Sequence, residues 1–318
     1  MISIDPKIFS FAKKQHKRGL GDYVNRTINN LSLSDTNQKI LNSFLLNNTE
    51  KILIGDMSQL MTLNGQLNDL INEKDLLKKD LSKVFNYKSI RDREDHLYNI
   101  YRLSQNLKIE ICPYCNRNYT TSHHYKIKAN NNERIKYIFP AFDHFKSQKD
   151  YPLLALSFYN LLPTCSICNS NIKNSIEVAL RHPYNQDYIT NYYHFDFIAN
   201  DYDTLIGKDE NLEIEIKFKE GISEMNKKEI ENTLFFFNTK DTYEMNHKSL
   251  IKDIINKKLT YSDKYLEELQ NTYGIKFEDA YKILFETHFE DEKLHKNPFS
   301  KIKKDIYSKL DNIKNKNT

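Results

Sequence analysis

Four cysteines stand in two short knuckles, Cys112-Pro113-Tyr114-Cys115 and Cys165-Ser166-Ile167-Cys168, about fifty residues apart. A CxxC turn places two sulfurs on one side of the chain, and two such turns complete a tetrahedral four-sulfur site for Zn²⁺. The chain has four cysteines in all, so the two knuckles use every one. A redox CxxC comes singly and beside a βαβ pattern, which this sequence lacks. A site with four protein sulfurs leaves no position for water or substrate, so its zinc is structural. Between the knuckles run Phe142-Asp143-His144-Phe145 and Asn160-Leu161; Asn169 follows the second knuckle directly, and Lys173 comes four residues later. Imidazole, carboxylate and amide are the groups that move protons and hold hard cations.

That order, CxxC, Asp-His, Asn-Leu, then CxxC-Asn-x-x-x-Lys, resembles the HNH nucleases of the His-Me finger group in their zinc-containing treble-clef form. The resemblance implies metal-dependent phosphodiester hydrolysis, which needs an activated water, a cation at the scissile phosphate and a stabilised leaving oxygen. His144 would be the general base, a role that suits a group titrating near neutrality. Asp143 would offer an oxygen to a catalytic Mg²⁺ or Mn²⁺. Asn160 would orient the His144 ring through its side chain or through the backbone around it. Asn169 falls where many members of the family carry His and would be the second metal ligand. The chain is then an HNN variant, whose amide oxygen suits softer metals less well than imidazole does. Lys173 has two readings, a phosphate contact and an exposed helix lysine, the second being the plainer.

The text around the knuckles narrows the resemblance. Ile111-Cys-Pro-Tyr-Cys-Asn-Arg-Asn-Tyr119, Asp143-His-Phe145 and Tyr151-Pro-Leu-Leu-Ala-Leu-Ser-Phe-Tyr-Asn-Leu-Leu-Pro-Thr-Cys-Ser-Ile-Cys-Asn-Ser170 are similar to bacterial defence-associated HNH proteins. These are the PtuB-like subunits of Septu systems and the HNH effectors of some retron loci. The close likeness spans roughly residues 100–185. It implies an anti-phage role, DNA ahead of RNA as substrate, and an SMC/ABC-like ATPase as partner. An RNA-cleaving toxin keeps the same site residues, and a non-catalytic nucleic-acid-binding or adaptor subunit keeps the same zinc scaffold.

These residues need elements to hold them. The first hundred residues carry helical spacing, as in Leu60, Leu63, Leu67, Leu70 and Ile71, and again in Leu97, Ile100 and Tyr101. Asp5-Pro6 has the form of a helix start. Tyr125–Ala129 and Arg134–Phe139 predict two strands joined by a turn at Asn130–Glu133, with Asp143-His144 at the end of the second. A compact segment follows from Tyr151 to about Lys173, helical at its end. Helices resume after Tyr188, with one strand at Leu212–Phe218. A last helix from near Phe299 puts Ile302, Ile306, Leu310 and Ile313 on one face. The expected fold is α+β and mostly helical: a ββα-metal core over 106–187, between helical regions at 1–105 and 188–318.

Composition bounds the rest. Over 318 residues the chain is 39% hydrophobic and 28% charged, with only 7 Gly and 7 Pro, a balance that fits a helix-rich globular protein. No apolar run reaches the ~20 residues of a membrane span, and the N-terminal residues lack a signal-peptide pattern, so a cytoplasmic location is expected. Four thiols in such a compartment are not a disulfide framework. Net charge is +4, and the stretch from Lys301 onward contributes six Lys against Asp305 and Asp311. A second cluster is Lys13, Lys14, Lys17 and Arg18. Such runs can meet phosphates or simply be solvated, so charge alone does not establish nucleic-acid binding. His123 and His124, near the predicted strands, read as exposed or DNA-touching. His182, in Arg181-His182-Pro183, reads as a possible neighbour of the catalytic metal.

Overall fold

A computed structural model of the chain describes residues 1–31, 36–70, 74–93, 97–129, 132–174, 176, 178–261 and 263–315. It is α+β and predominantly helical, and its strands form three separate antiparallel pairs. Contacts divide the chain into two compact units. One holds 6–108 and 120–177 and is called the N-proximal unit below; the other, the C-proximal unit, holds 1–5, 109–119 and 178–318.

The N-proximal unit begins with a 3-10 turn at Pro6–Phe9 and continues through α1 (Ser10–Asn29), α2 (Thr36–Ile54), α3 (Met57–Leu70), α4 (Lys74–Val84), α5 (Tyr87–Arg91) and α6 (Ile100–Leu107). Leu60, Leu63 and Leu67 of the expected stripe are buried, whereas Leu70, the last residue of α3, is exposed, and Ile71 lies outside the described residues. Leu97 is also exposed because it precedes α6 instead of lying on it; Ile100 and Tyr101 are buried. Side-chain amides start the two short helices: Asn86 accepts the Ser89 N–H and Asn99 accepts the Arg102 N–H.

Four strands follow. β1 (His123–Ala129) pairs with β2 (Asn132–Ile138), with Tyr125 opposite Lys136 and Ile127 opposite Arg134. The expected turn between them includes Asn130 and Asn131, which lie outside the described residues. Asp143-His144 is not the end of that second strand. Phe139-Pro140 breaks the pairing, and β3 (Ala141–His144) pairs instead with β4 (Leu161–Thr164), a strand with no alternation to betray it because all four residues are buried. A π-helical segment, Ile167–Lys173, continues from the second cysteine knuckle.

In the C-proximal unit, β5 (Tyr193–Ala199), α7 (Tyr202–Leu205) and β6 (Leu212–Phe218) are followed by α8 (Glu224–Phe236), α9 (Thr239–Asn246), α10 (Lys248–Thr260), α11 (Asp263–Tyr273), α12 (Phe277–Phe285) and α13 (Ser300–Asn315). The strand at Leu212–Phe218 is where the sequence places it. Its partner β5 falls in a stretch expected to be helical, although Tyr193, Phe195 and Phe197 alternate inward in the two-residue rhythm of a strand. These rings share a core with Tyr243, Tyr281 and Ile302. Ile302 and Ile306 of α13 are buried and Leu310 packs against the same core; the Ile313 side chain lies outside the described set. No described helix is long and apolar enough to cross a membrane.

Candidate metal centre and candidate active site

Each knuckle is shaped by its own surroundings. In the first, Asn116 adopts a left-handed φ of 52°, a conformation that asparagine tolerates and that turns the chain back on itself. Its N–H donates to the Cys112 carbonyl, and its buried side chain accepts from the Lys301 N–H and donates to Ser300 Oγ. The Tyr243 hydroxyl donates to the Cys115 carbonyl at 3.0 Å. In the second, Cys165 follows β4 directly and Cys168 sits in the first turn of the π-helical segment. The Cys168 N–H points at Cys165 Sγ (3.5 Å), and the Asn169 N–H donates to the Cys165 carbonyl.

The four sulfurs lie within 4.8 Å of one another, all buried and none in a disulfide. A tetrahedral zinc with bonds of ~2.3 Å separates its sulfurs by about 3.8 Å, so the cluster matches a structural zinc in number, chemistry and scale. N–H groups directed at Cys165 Sγ and, from the Asn118 side chain, at Cys115 Sγ (3.9 Å) suit thiolates. Among the described residues these four cysteines are the one group of three or more His, Cys, Asp or Glu ligands close enough to share an ion.

The remaining motif residues meet in the N-proximal unit around a cavity of about 550 Å³ lined by Asp143, His144, Asn169 and Lys173, among others. His144 Nε2 lies 3.0 Å from the Ala155 carbonyl. A carbonyl can only accept, so Nε2 carries the proton and Nδ1 keeps the lone pair of the ring. Burial pushes the imidazole down to about 4, against opposing contributions from the Ala155 hydrogen bond and from Asp143, so the ring is neutral at physiological pH. Tyr87 meets it edge to face, with ring centroids 4.7 Å apart.

Asn160 is fully buried and does not touch the His144 ring. Its Oδ1 accepts the Lys146 N–H (2.7 Å), and its Nδ2 donates to the carbonyls of Lys146 and Leu154, both at 3.0 Å. It therefore ties the backbone just after His144 to the backbone just before Ala155, the two ends of the hydrogen bond that fixes the tautomer. Ala155 is held from behind as well. Buried His16 bonds the Leu156 carbonyl at 2.8 Å, and Ser157 Oγ donates to the Ile52 carbonyl at 2.5 Å.

Lys173 is not an exposed helix lysine. It is 4% exposed, and its ammonium donates to Asp143 Oδ1 and to the His144 carbonyl, both at 2.9 Å. The reason is local: a carboxylate as deeply buried as Asp143 needs a positive partner, and the π-helical segment delivers one. Asn169 is half-buried on the same segment and lines the cavity. Asp143 and Asn169 supply hard oxygen donors of the kind Mg²⁺ takes, and Mg²⁺ commonly relies on one or two carboxylates with water and phosphate completing its shell.

The sequence reading missed the far wall of this cavity, which α5 provides through Tyr87, Lys88 and Arg91. Lys88 and Arg91 are exposed, and with Lys149 they make the lining cationic. Lys88 and Arg91 lie more than fifty residues before Asp143, on a helix too short for periodicity to reveal, and no local signal marks them. His123 and His124 are exposed, and His124 Nδ1 bonds the Tyr101 hydroxyl. His182 Nδ1 accepts the Tyr184 N–H within its own turn. Comparison with protein-family models, curated proteins and solved structures returned no match.

Proposed function

We propose that the chain is a metal-dependent endonuclease of the HNH type, hydrolysing phosphodiesters in DNA with His144 as general base. The observation that carries this reading is the fixed tautomer of His144: a neutral ring whose Nε2–H is committed to Ala155 has its lone pair on Nδ1. Nδ1 takes the proton of the attacking water; Lys88, Arg91 and Lys149 draw the phosphate backbone to the cavity. Asp143 and Asn169 would hold Mg²⁺ or Mn²⁺, which when bound supplies charge at the scissile phosphate and at the leaving oxygen. The base sits well below neutrality, so its driving force is small and precise positioning by Asn160 and Ala155 matters correspondingly more. Cys112, Cys115, Cys165 and Cys168 would hold a zinc that supports the fold and takes no part in these steps.

From the resemblance of residues 100–185 we further propose an anti-phage effector that works with an SMC/ABC-like ATPase. One observation favours a second reading, a zinc-stabilised nucleic-acid-binding adaptor: the Lys173 ammonium already sits on Asp143, where the catalytic ion would bind. Purified protein incubated with plasmid, single-stranded DNA and tRNA in Mg²⁺, Mn²⁺ and Ni²⁺ separates the readings. Cleavage of plasmid, lost in His144→Ala, is the expected result. Cleavage of tRNA alone means an RNA-cleaving toxin, and binding without cleavage, with or without a co-expressed ATPase, means the adaptor.

A further inference from the structure

Most of the β1–β2 pair is exposed. Residues 123–128 and 133–136 are all exposed, and among the described residues the ribbon pairs with no third strand. An isolated two-stranded hairpin is marginal in water, so apolar side chains on it call for an explanation. Here Tyr125, Ile127 and Ile135 are 44%, 37% and 47% exposed.

Register sorts the side chains into two faces, because residues directly opposite each other share a side and neighbours along a strand alternate. One face carries His124, Lys126, Lys128, Glu133, Ile135 and Tyr137. Its base is anchored, since Tyr101 of α6 packs on Tyr137 (centroids 4.6 Å) and bonds His124, and its Lys126 is paired with Glu133 at 3.2 Å. The other face carries His123, Tyr125, Ile127, Arg134, Lys136 and Ile138. It has no carboxylate, and Arg134 and Lys136 make no ion pair among the described residues. Each cation there stands opposite an apolar partner, Ile127 with Arg134 and Tyr125 with Lys136.

We propose that this open face docks into the major groove of double-stranded DNA, with Arg134 and Lys136 on phosphates or base edges and Tyr125 and Ile127 in apolar contact. The choice of polymer rests on the nuclease reading; the choice of duplex DNA rests on shape. Seven residues per strand span roughly 23 Å, and the B-form major groove admits a two-stranded ribbon whereas the deep, narrow major groove of A-form RNA does not. Lysines on strand edges also discourage aggregation, but that role does not call for an acid-free face with an arginine and a tyrosine. After β2, only Phe139 and Pro140 precede the strand that carries Asp143 and His144, so the ribbon and the site share one short stretch of chain.

The test is fluorescence anisotropy of a labelled DNA duplex with the full-length protein, without added divalent ion, over a salt series. Arg134→Ala/Lys136→Ala should weaken binding about tenfold and reduce the log–log salt slope by about two. Lys126→Ala/Lys128→Ala, on the anchored face, should cost at most about threefold, and Arg134→Lys/Lys136→Arg should restore near-parent affinity. Equal losses from both faces, no loss, no measurable binding of duplex by the parent, or tighter binding of single-stranded DNA or double-stranded RNA would each overturn the assignment. Binding that depends on Arg134 and Lys136 in a protein that never cuts leaves the ribbon standing and removes the nuclease. Cutting by a protein whose Arg134→Ala/Lys136→Ala variant binds and cuts like the parent does the reverse.

Discussion

Two antiparallel strand pairs lie one after the other in the N-proximal unit and differ in almost everything but topology. The β1–β2 ribbon is longer, exposed on both faces and rich in cations, and its single acid serves two lysines at 3.2 and 4.0 Å. The β3–β4 pair is four residues per strand, mostly buried, and every polar group on it that matters is held by something specific. Charges on the ribbon face water and are screened, so each is replaceable. Charges on the short pair have lost water and depend on a particular neighbour. Burial, more than strand geometry, separates the pair whose charges depend on a particular neighbour from the ribbon whose charges do not.

The largest expected contrast is catalytic. His144→Ala should lower cleavage by on the order of 10²–10⁴ while leaving zinc content and duplex binding unchanged; Arg134→Ala/Lys136→Ala should act on KM and spare kcat. Plasmid-nicking kinetics with parallel metal analysis measures both, and unaltered cleavage by His144→Ala removes the mechanism. Next comes the buried ion pair. Lys173→Met strands the Asp143 carboxylate and should cost about 3–5 kcal/mol in urea unfolding, whereas Lys126→Met on the ribbon should stay within about 0.5 kcal/mol. Similar values for the two would mean that Asp143 has another adequate partner.

Acid should loosen the short pair through its support. Burial, partly offset by the Leu156 hydrogen bond, pulls His16 down to about 4, so the folded protein keeps the ring neutral where the unfolded chain protonates it. Its contribution is therefore complete above about pH 6.5 and is lost between 6.5 and 4, amounting to about 2 kcal/mol by pH 5. Melts from pH 7.5 to 5 should show this fall in the parent and a shallower one in His16→Gln. Asn160→Ala should cost about 1–3 kcal/mol from unpaired Lys146 and Leu154 groups. Because the same bonds position His144, its kcat should drop further than its binding, and a variant that keeps full kcat would assign Asn160 to folding alone.

Residue type and spacing exposed some of this and not the rest. The cysteine knuckles were legible because a four-sulfur metal site dictates both. Asp143, His144, Asn160 and Asn169 could be picked out as an ordered set, and of the two roles open to Asn160, on the ring or on the backbone around it, its amide takes the second. Lys173 was read as a surface group because lysine is one nearly everywhere; only the burial of Asp143, a three-dimensional fact, reverses that. α5 escaped because a five-residue helix has no period to detect. β5 was written in the alternation of Tyr193, Phe195 and Phe197 but was outweighed by the helical stretches around it.

The bond from Lys173 to Asp143 makes the lysine a tethered counter-ion. Held on the same unit as the carboxylate, its ammonium is always at hand to balance that charge. Under the nuclease reading proposed above, a cation loading Asp143 would have to displace that ammonium. With no ion bound, the pair leaves the buried carboxylate charge-balanced, so the pocket needs no cation to hold its shape.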